Sequence, residues 1–101
     1  MKLLLVEDNP RLAERISYHL QSIYTVDIVE NGTDALEKAA HIQYGVILLD
    51  LGLPDMSGFD VCEKMRGMNI QSPILVLTGN SDLKDRVKLL NAGADDYVTK
   101  P

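Results

Sequence analysis

Three four-residue runs in this chain, Leu3-Leu4-Leu5-Val6, Val46-Ile47-Leu48-Leu49 and Ile74-Leu75-Val76-Leu77, are apolar at every position. Runs this short and this uniform read as strands buried on both faces, the condition of a parallel sheet covered by helices. Val26-Asp27-Ile28-Val29 is another candidate strand, interrupted by a carboxylate, and Tyr97-Val98-Thr99 is a weaker fifth. Between the runs the apolar period lengthens to that of a helix. Leu12, Ile16, Leu20 and Ile23 follow Asp8-Asn9-Pro10, which offers a polar cap and a starting proline. Ala35, Leu36, Ala39 and Ala40 mark a second helix after Asn31-Gly32-Thr33-Asp34. Ser57 to Met68 carries Phe59, Val61, Cys62 and Met65, and Ser81 to Ala92 is stopped by Gly93. In that last stretch Leu83, Val87 and Leu90 form one stripe and Leu89 lies off it. Spacing leaves open which of the two faces the sheet.

The alternation predicts βαβαβαβαβ: an α/β domain with a parallel sheet, right-handed crossovers and helices on both faces. At 101 residues one domain is the most the chain can form, with no repeat, low-complexity tract or linker to divide it. Ten basic against fifteen acidic residues leave a formal charge of −5, which disfavours nucleic-acid phosphates as ligands of this segment. A single cysteine, Cys62, excludes an internal disulfide and suits a reducing compartment. The apolar start meets Glu7 and Asp8 too soon for a signal-peptide core or a membrane span. A cytoplasmic domain without membrane contact is expected.

In such sheets ligands sit outside the carboxyl ends of the strands. There the first run ends in Glu7-Asp8, the third in Asp50, the fourth in Thr78 and the fifth in Lys100-Pro101. Each residue has a plain structural role open to it: Asp8 a helix cap, Asp50 a loop acid, Thr78 an ordinary helix-approach residue, Lys100 a solvated charge. Their joint arrival on one rim favours a site. Three crowded carboxylates repel unless a cation is present. Oxygen ligands without Cys or His select a hard ion, and Mg²⁺ takes one or two carboxylates while leaving room for a phosphate oxygen. A carboxylate can itself attack a phosphoryl group, with Lys100 and Thr78 placed to stabilise its oxygens.

These residues sit in longer motifs. Leu4-Leu5-Val6-Glu7-Asp8-Asn9, Ile47 to Gly58 with Asp50-Leu51-Gly52-Leu53-Pro54-Asp55-Met56-Ser57-Gly58, Pro73 to Thr78, and Gly93-Ala94-Asp95-Asp96-Tyr97-Val98-Thr99-Lys100-Pro101 follow one another in order. In all of them the chain resembles the receiver domain of bacterial two-component response regulators. The resemblance implies a flavodoxin-like, doubly wound five-stranded sheet of order 2-1-3-4-5 over residues 1–101. It implies a phosphorelay receiver rather than an enzyme, although one that assists its own phosphorylation and dephosphorylation. Asp50 would accept a phosphoryl group from a sensor histidine kinase. Asp8, Asp50 and the main-chain carbonyl of Gly52 would hold Mg²⁺, with Glu7 acting through a metal-bound water. Thr78 and Lys100 would bind the phosphoryl oxygens, and Tyr97 would turn inward as the switch. Gly52 and Asn80 stand where the family tunes phosphoryl lifetime, and the Lys100–Pro101 bond is commonly cis there.

Gly93-Ala94-Asp95-Asp96-Tyr97 is most like the OmpR-type subfamily, whose receivers precede a DNA-binding effector. In that group the fourth helix and fifth strand form a homodimer face. Arg86, Asp95 and Asp96 match its charged positions and Val87 and Leu90 its apolar centre. The family has a fifth helix after the Lys-Pro pair, whereas this chain stops at Pro101. A receiver truncated after the fifth strand is therefore expected, part of a longer chain or self-associating through the sheet face that helix covers.

Other readings explain less. An aspartate-nucleophile phosphatase needs a second acid two residues after the first, where Gly52 stands. A flavin or nucleotide site lacks its glycines after the first strand. A non-phosphorylated interaction module of the same fold is the remaining alternative, but such modules usually lose the acid pair, the acceptor or the lysine. His19 and His41 read as solvated, Cys62 as a small helical hydrophobe, and Met56, Met65 and Met68 as packing residues.

Overall fold

A computed structural model describes residues 1–79 and 83–100, the side chains of 83–85 excepted. The elements run β1 (Lys2–Val6), α1 (Pro10–Leu20), β2 (Thr25–Val29), α2 (Gly32–His41), β3 (Val46–Asp50), α3 (Gly58–Gly67), β4 (Ile74–Thr78), α4 (Leu83–Asn91) and β5 (Asp96–Thr99). All strand pairs are parallel and the order is β2-β1-β3-β4-β5, as the alternating pattern and the resemblance lead one to expect. Asn80, the expected helix start at Ser81-Asp82 and the isomer of the Lys100–Pro101 bond lie outside the described residues.

Each of the first three helices starts on a side-chain oxygen. Asn9 Oδ1 accepts from the amides of Arg11 and Leu12 at 3.1 and 3.2 Å, with Pro10 as the first helical residue. Asn31 Oδ1 accepts from Asp34 N at 2.8 Å, and Ser57 Oγ from Asp60 N at 3.2 Å. These acceptors satisfy amides that the first turn leaves unpaired. Because Asn9 does the capping, Asp8 is not the cap of α1.

Period-two alternation assigns each strand residue to a face. Leu4, Val6, Ile47, Leu49, Ile74 and Val76 pack on the side covered by α2, α3 and α4, where sixteen buried residues form the larger core. Leu3, Leu5, Leu48 and Ala13 form the smaller core under α1. On that second face Leu75 and Leu77 are only partly buried and Val98, on β5, is 45% exposed. Leu89 settles the question the α4 spacing left open. It is 1% exposed and faces the sheet, whereas Val87 and Leu90 are about half exposed at 52% and 49%.

Two expectations change. The apolar spacing carries past Leu20 to Ile23, but α1 ends at Leu20 and Ile23 is 71% exposed. Periodicity continued after the hydrogen-bonded helix had stopped. Met68 follows the end of α3 and is 44% exposed, so it is not a packing residue, unlike buried Met65 and part-buried Met56. His19 and His41 are exposed, and Cys62 is fully buried, which pushes its thiol pKa up.

Candidate phosphoacceptor and cation site

The carboxyl ends of β1, β3, β4 and β5 deliver the site. Glu7 and Asp8 follow β1, Asp50 and Thr78 are the last residues of β3 and β4, and Lys100 follows β5. The backbone fixes these ends to one another. Glu7 N donates to Val29 O at 3.0 Å, Leu51 N to Leu77 O at 3.3 Å, and Lys100 N to Thr78 O at 2.7 Å.

Three carboxylates, on Glu7, Asp8 and Asp50, offer oxygens that all lie within 4.8 Å of one another. Glu7 and Asp50 are buried and Asp8 is exposed at the mouth. Lys100 Nζ is shared between the two buried acids, 2.8 Å from Asp50 Oδ1 and 3.0 Å from Glu7 Oε1. Burial works against the charged lysine, but its pairing with Asp50 and then Glu7 outweighs that and holds its pKa above the ordinary value. Burial raises the pKa of Glu7, opposed by the Asn9 amide and Lys100, with the charge on Asp50 pushing it further up. One ammonium thus faces three carboxylates.

Glu7 is fully buried, and its two oxygens differ. Oε2 accepts from Asn9 N at 3.1 Å. Among the described residues Oε1 has no directed hydrogen bond, because the Lys100 ammonium lies close to it but off the bonding direction. A buried carboxylate oxygen without a donor is costly to maintain. A hydrated divalent cation among these acids would supply both the missing donor, through a bound water, and the missing charge. The donor set is all oxygen, so the residues fit a hard ion such as Mg²⁺. Gly52 borders the same space: a Cβ built on it would stand 3.9 Å from Asp50 Oδ2. Behind Asp50 there is no slack. A Cβ on Gly58, the first residue of α3, would fall 2.8 Å from both Asp50 O and Leu51 Cα, so only glycine lets α3 start there.

Thr78 is buried at the rim. Tyr97 pairs in register with Val76, two residues before Thr78, so both side chains lie on the α4 side of the sheet. The Arg86 guanidinium lies 4.7 Å from the Tyr97 ring centroid, in cation–π range. Asp95 lies at the other end of β5. It accepts from Ile74 N at 2.8 Å and from Arg66 Nη2 at 2.9 Å, while Asp96 is exposed.

The chain is similar to known proteins. The family model of the response regulator receiver domain matches residues 3–101. The chain belongs to the response regulator receiver domain family. The cell cycle response regulator CtrA of Brucella ovis is 45% identical across 100% of this chain, which covers 44% of that protein. This receiver therefore spans less than half the length of the curated relatives it matches. The response regulator DrrB, a Thermotoga maritima OmpR/PhoB homolog, has a TM-score of 0.90 at 34% identity, covering 99% of this chain and 45% of that one. The receiver domain of the sensor histidine kinase PA1611 from Pseudomonas aeruginosa, solved with a magnesium ion in its active site cleft, has a TM-score of 0.90 at 37% identity. That match covers 99% of this chain and 84% of the PA1611 chain. The OmpR-type likeness read from the Gly93–Tyr97 segment thus agrees with the relatives found. No helix among the described residues is long and apolar enough to cross a membrane.

Two contacts near the site's framework escaped the sequence. Asp55 caps α2 from the β3–α3 loop, and Arg66 ties α3 to Asp95. The only signals available were a carboxylate in a turn and an arginine near a helix end, both of which occur everywhere.

Proposed function

We propose that this receiver accepts a phosphoryl group on Asp50 from a histidine of a sensor kinase, in a reaction that depends on Mg²⁺. The observation carrying the reading is the Lys100 ammonium held between Asp50 Oδ1 and Glu7 Oε1, with Asp8 beside them. A carboxylate oxygen of Asp50 forms the new bond to phosphorus while the bond from phosphorus to the donor imidazole breaks, its electron pair leaving with the nitrogen. Lys100 is already within bonding distance of Asp50 and stabilises the oxygens of the transferred group. Thr78, on the neighbouring strand end, donates a hydrogen bond to one of them. Asp8, Asp50 and the Gly52 carbonyl hold the cation directly and Glu7 through water. When bound, the cation neutralises charge as the phosphoryl group approaches the acids. The magnesium seen in the cleft of the PA1611 receiver supports the same choice of ion here.

The output we infer runs through Thr78 and Tyr97 to the face of α4 and β5. Tyr97 is part-buried against the larger core, with the Arg86 guanidinium over its ring. Drawing Thr78 toward a phosphoryl group opens space on its own face of the sheet, which Tyr97 is placed to enter. The surface so altered includes half-exposed Val87 and Leu90, together with Arg86, Asp95 and Asp96. We infer that this face forms a homodimer in a longer cytoplasmic regulator whose DNA-binding effector lies beyond these residues, without a membrane contact of its own. The receiver assists its own phosphorylation and dephosphorylation and is not otherwise an enzyme.

Incubation with acetyl phosphate, with and without Mg²⁺ and read by intact mass, tests the proposal. One phosphoryl group should appear only with Mg²⁺, and Asp50→Asn should abolish it. Undiminished labelling of that variant overturns the assignment to Asp50, and a wild-type chain that takes no label with Mg²⁺ favours the non-phosphorylated module.

A further inference from the structure

The loop from Leu51 to Ser57 carries Gly52 past the acceptor, and a carboxylate outside the site fastens it down. Asp55 Oδ1 accepts from Gly32 N at 2.8 Å, and Asp55 Oδ2 accepts from Thr33 N at 2.9 Å and Thr33 Oγ1 at 2.7 Å. Gly32 and Thr33 are the first two residues of α2, so the loop leaving β3 grips the start of the helix that neighbours α3 on the same face of the sheet. Packing tightens the grip: a Cβ on Gly32 would fall 2.5 Å from Met56 Cγ. At its other end the loop is closed by Gly58 N, which donates to Leu51 O at 3.1 Å. Gly52 lies between these fixed points.

We infer that Asp55 is a positioning residue for the cation site, clamping the loop to α2 so that the Gly52 carbonyl stays in place beside Asp50. The inference rests on the reading above, in which Gly52 supplies a ligand. Asp55 is exposed, so its own burial contributes nothing. What it has is three donors, two of them amides at a helix N-terminus where a carboxylate is favoured. Those bonds hold its pKa down to about 2, so the clamp is charged at any ordinary pH. The clamp matters because Mg²⁺ demands near-ideal octahedral geometry, whereas Ca²⁺ tolerates loose and variable ligand placement. A loop freed from α2 should therefore lose Mg²⁺ more than Ca²⁺. A residue that only stabilised the fold would leave that preference unmoved.

The test compares Mg²⁺ and Ca²⁺ titrations of the chain with those of Asp55→Ala, Asp55→Glu and Thr33→Ala, followed by NMR on protein shown to be folded. Asp55→Ala should weaken Mg²⁺ about tenfold, in the range of residues that orient metal ligands, and Ca²⁺ distinctly less. Asp55→Glu, which keeps both oxygens, should recover part of the loss. Thr33→Ala removes one donor and keeps the loop acid, so it should shift Mg²⁺ affinity slightly in the same direction even where Asp55→Ala fails to fold. Asp8→Ala separates this inference from the site itself. Loss of Mg²⁺ in Asp8→Ala with unchanged affinity in the Asp55 and Thr33 variants leaves the site standing and overturns the clamp. Unchanged affinity in Asp8→Ala overturns the site. Equal losses of Mg²⁺ and Ca²⁺ in Asp55→Ala make Asp55 a stabilising residue only.

Discussion

β4 runs between two charged clusters built from the same ingredients and finished differently. At its amino end Arg66 donates from Nε to Gly93 O at 2.9 Å, from Nη1 to Ile70 O and Ser72 O at 2.7 and 2.9 Å, and from Nη2 to Asp95 at 2.9 Å. Asp95 in turn accepts from Ile74 N. Gly93 completes the cluster, with φ of 107° and no room for a Cβ beside the Arg66 stem. At the carboxyl end one lysine serves two buried acids, a third acid stands at the mouth, and Glu7 Oε1 has no directed donor. The first cluster has a partner for each of its charged groups and holds α3, β4 and β5 together. The second is left short of positive charge and of a donor. A network satisfied by the chain itself stabilises the fold, and one left unsatisfied is a place for something else to bind.

If that contrast holds, breaking the two clusters should move stability in opposite directions. Arg66→Ala strips partners from three carbonyls and one carboxylate, with the Arg66 side chain 27% and the Asp95 side chain 58% exposed, and should cost about 2–3 kcal/mol. Denaturant unfolding measures this, and Mg²⁺ affinity of the folded variant should not change. A loss below about 0.5 kcal/mol, the level of an ordinary surface change, removes the distinction.

Asp8→Ala should do the reverse. Without metal it relieves repulsion among the three acids and should raise stability by a few tenths to about 1 kcal/mol. With Mg²⁺ it should weaken binding about tenfold or more, since only Asp50 and a carbonyl remain as direct ligands. Melting curves at increasing Mg²⁺ report both effects, because a ligand of the native state raises its stability by mass action. An Asp8→Ala protein that is less stable without metal contradicts the contrast.

Thr78 sits at the site end of the strand whose other end is held by Asp95. Thr78→Ala should still be labelled at Asp50 yet lose much of the change in dimerisation or partner binding that phosphorylation brings. Sedimentation of phosphorylated and unphosphorylated protein checks this. Equal responses in variant and wild type place the switch elsewhere.

The smallest expected effect concerns Asp55, a third carboxylate and a satisfied one. Its folded pKa of about 2 lies below the ordinary 3.8, so its contribution is present above about pH 4 and lost as pH falls toward 2. Wild type should therefore be more stable than Asp55→Asn at neutral pH, with the difference closing in acid. A difference that stays constant from pH 6 to pH 2 shows that the carboxylate charge plays no part.

The sequence made one cluster legible and hid the other for a physical reason. Glu7, Asp8, Asp50, Thr78 and Lys100 each stand where an apolar strand stops, and a parallel sheet brings all such ends to one rim, so composition and order together predicted their meeting. The faces of the sheet were equally readable from alternation. Arg66 and Asp55 bond mainly to backbone carbonyls and amides, which every residue carries and no pattern advertises. Their partners lie up to 29 residues away, across turns whose shape depends on the finished fold. The stripe on α4 was ambiguous because Leu89 and Leu90 are equally apolar neighbours, and only packing assigned Leu89 to the core. The overrun to Ile23 has the same origin: spacing measures a face but not where the hydrogen bonds end.

Lys100 reaches back across nearly the whole chain to touch Glu7, while its amide closes onto β4. Contacts between such distant segments form late, since the entropy of closing the intervening loop must be overcome first. A nascent chain still leaving the ribosome has made its acids long before it has its lysine. Until β5 docks, Glu7 and Asp50 lack their Lys100 counter-charge. The acid–lysine cluster therefore exists only once the last strand is in place, and its charge balance is set by a late docking step of folding.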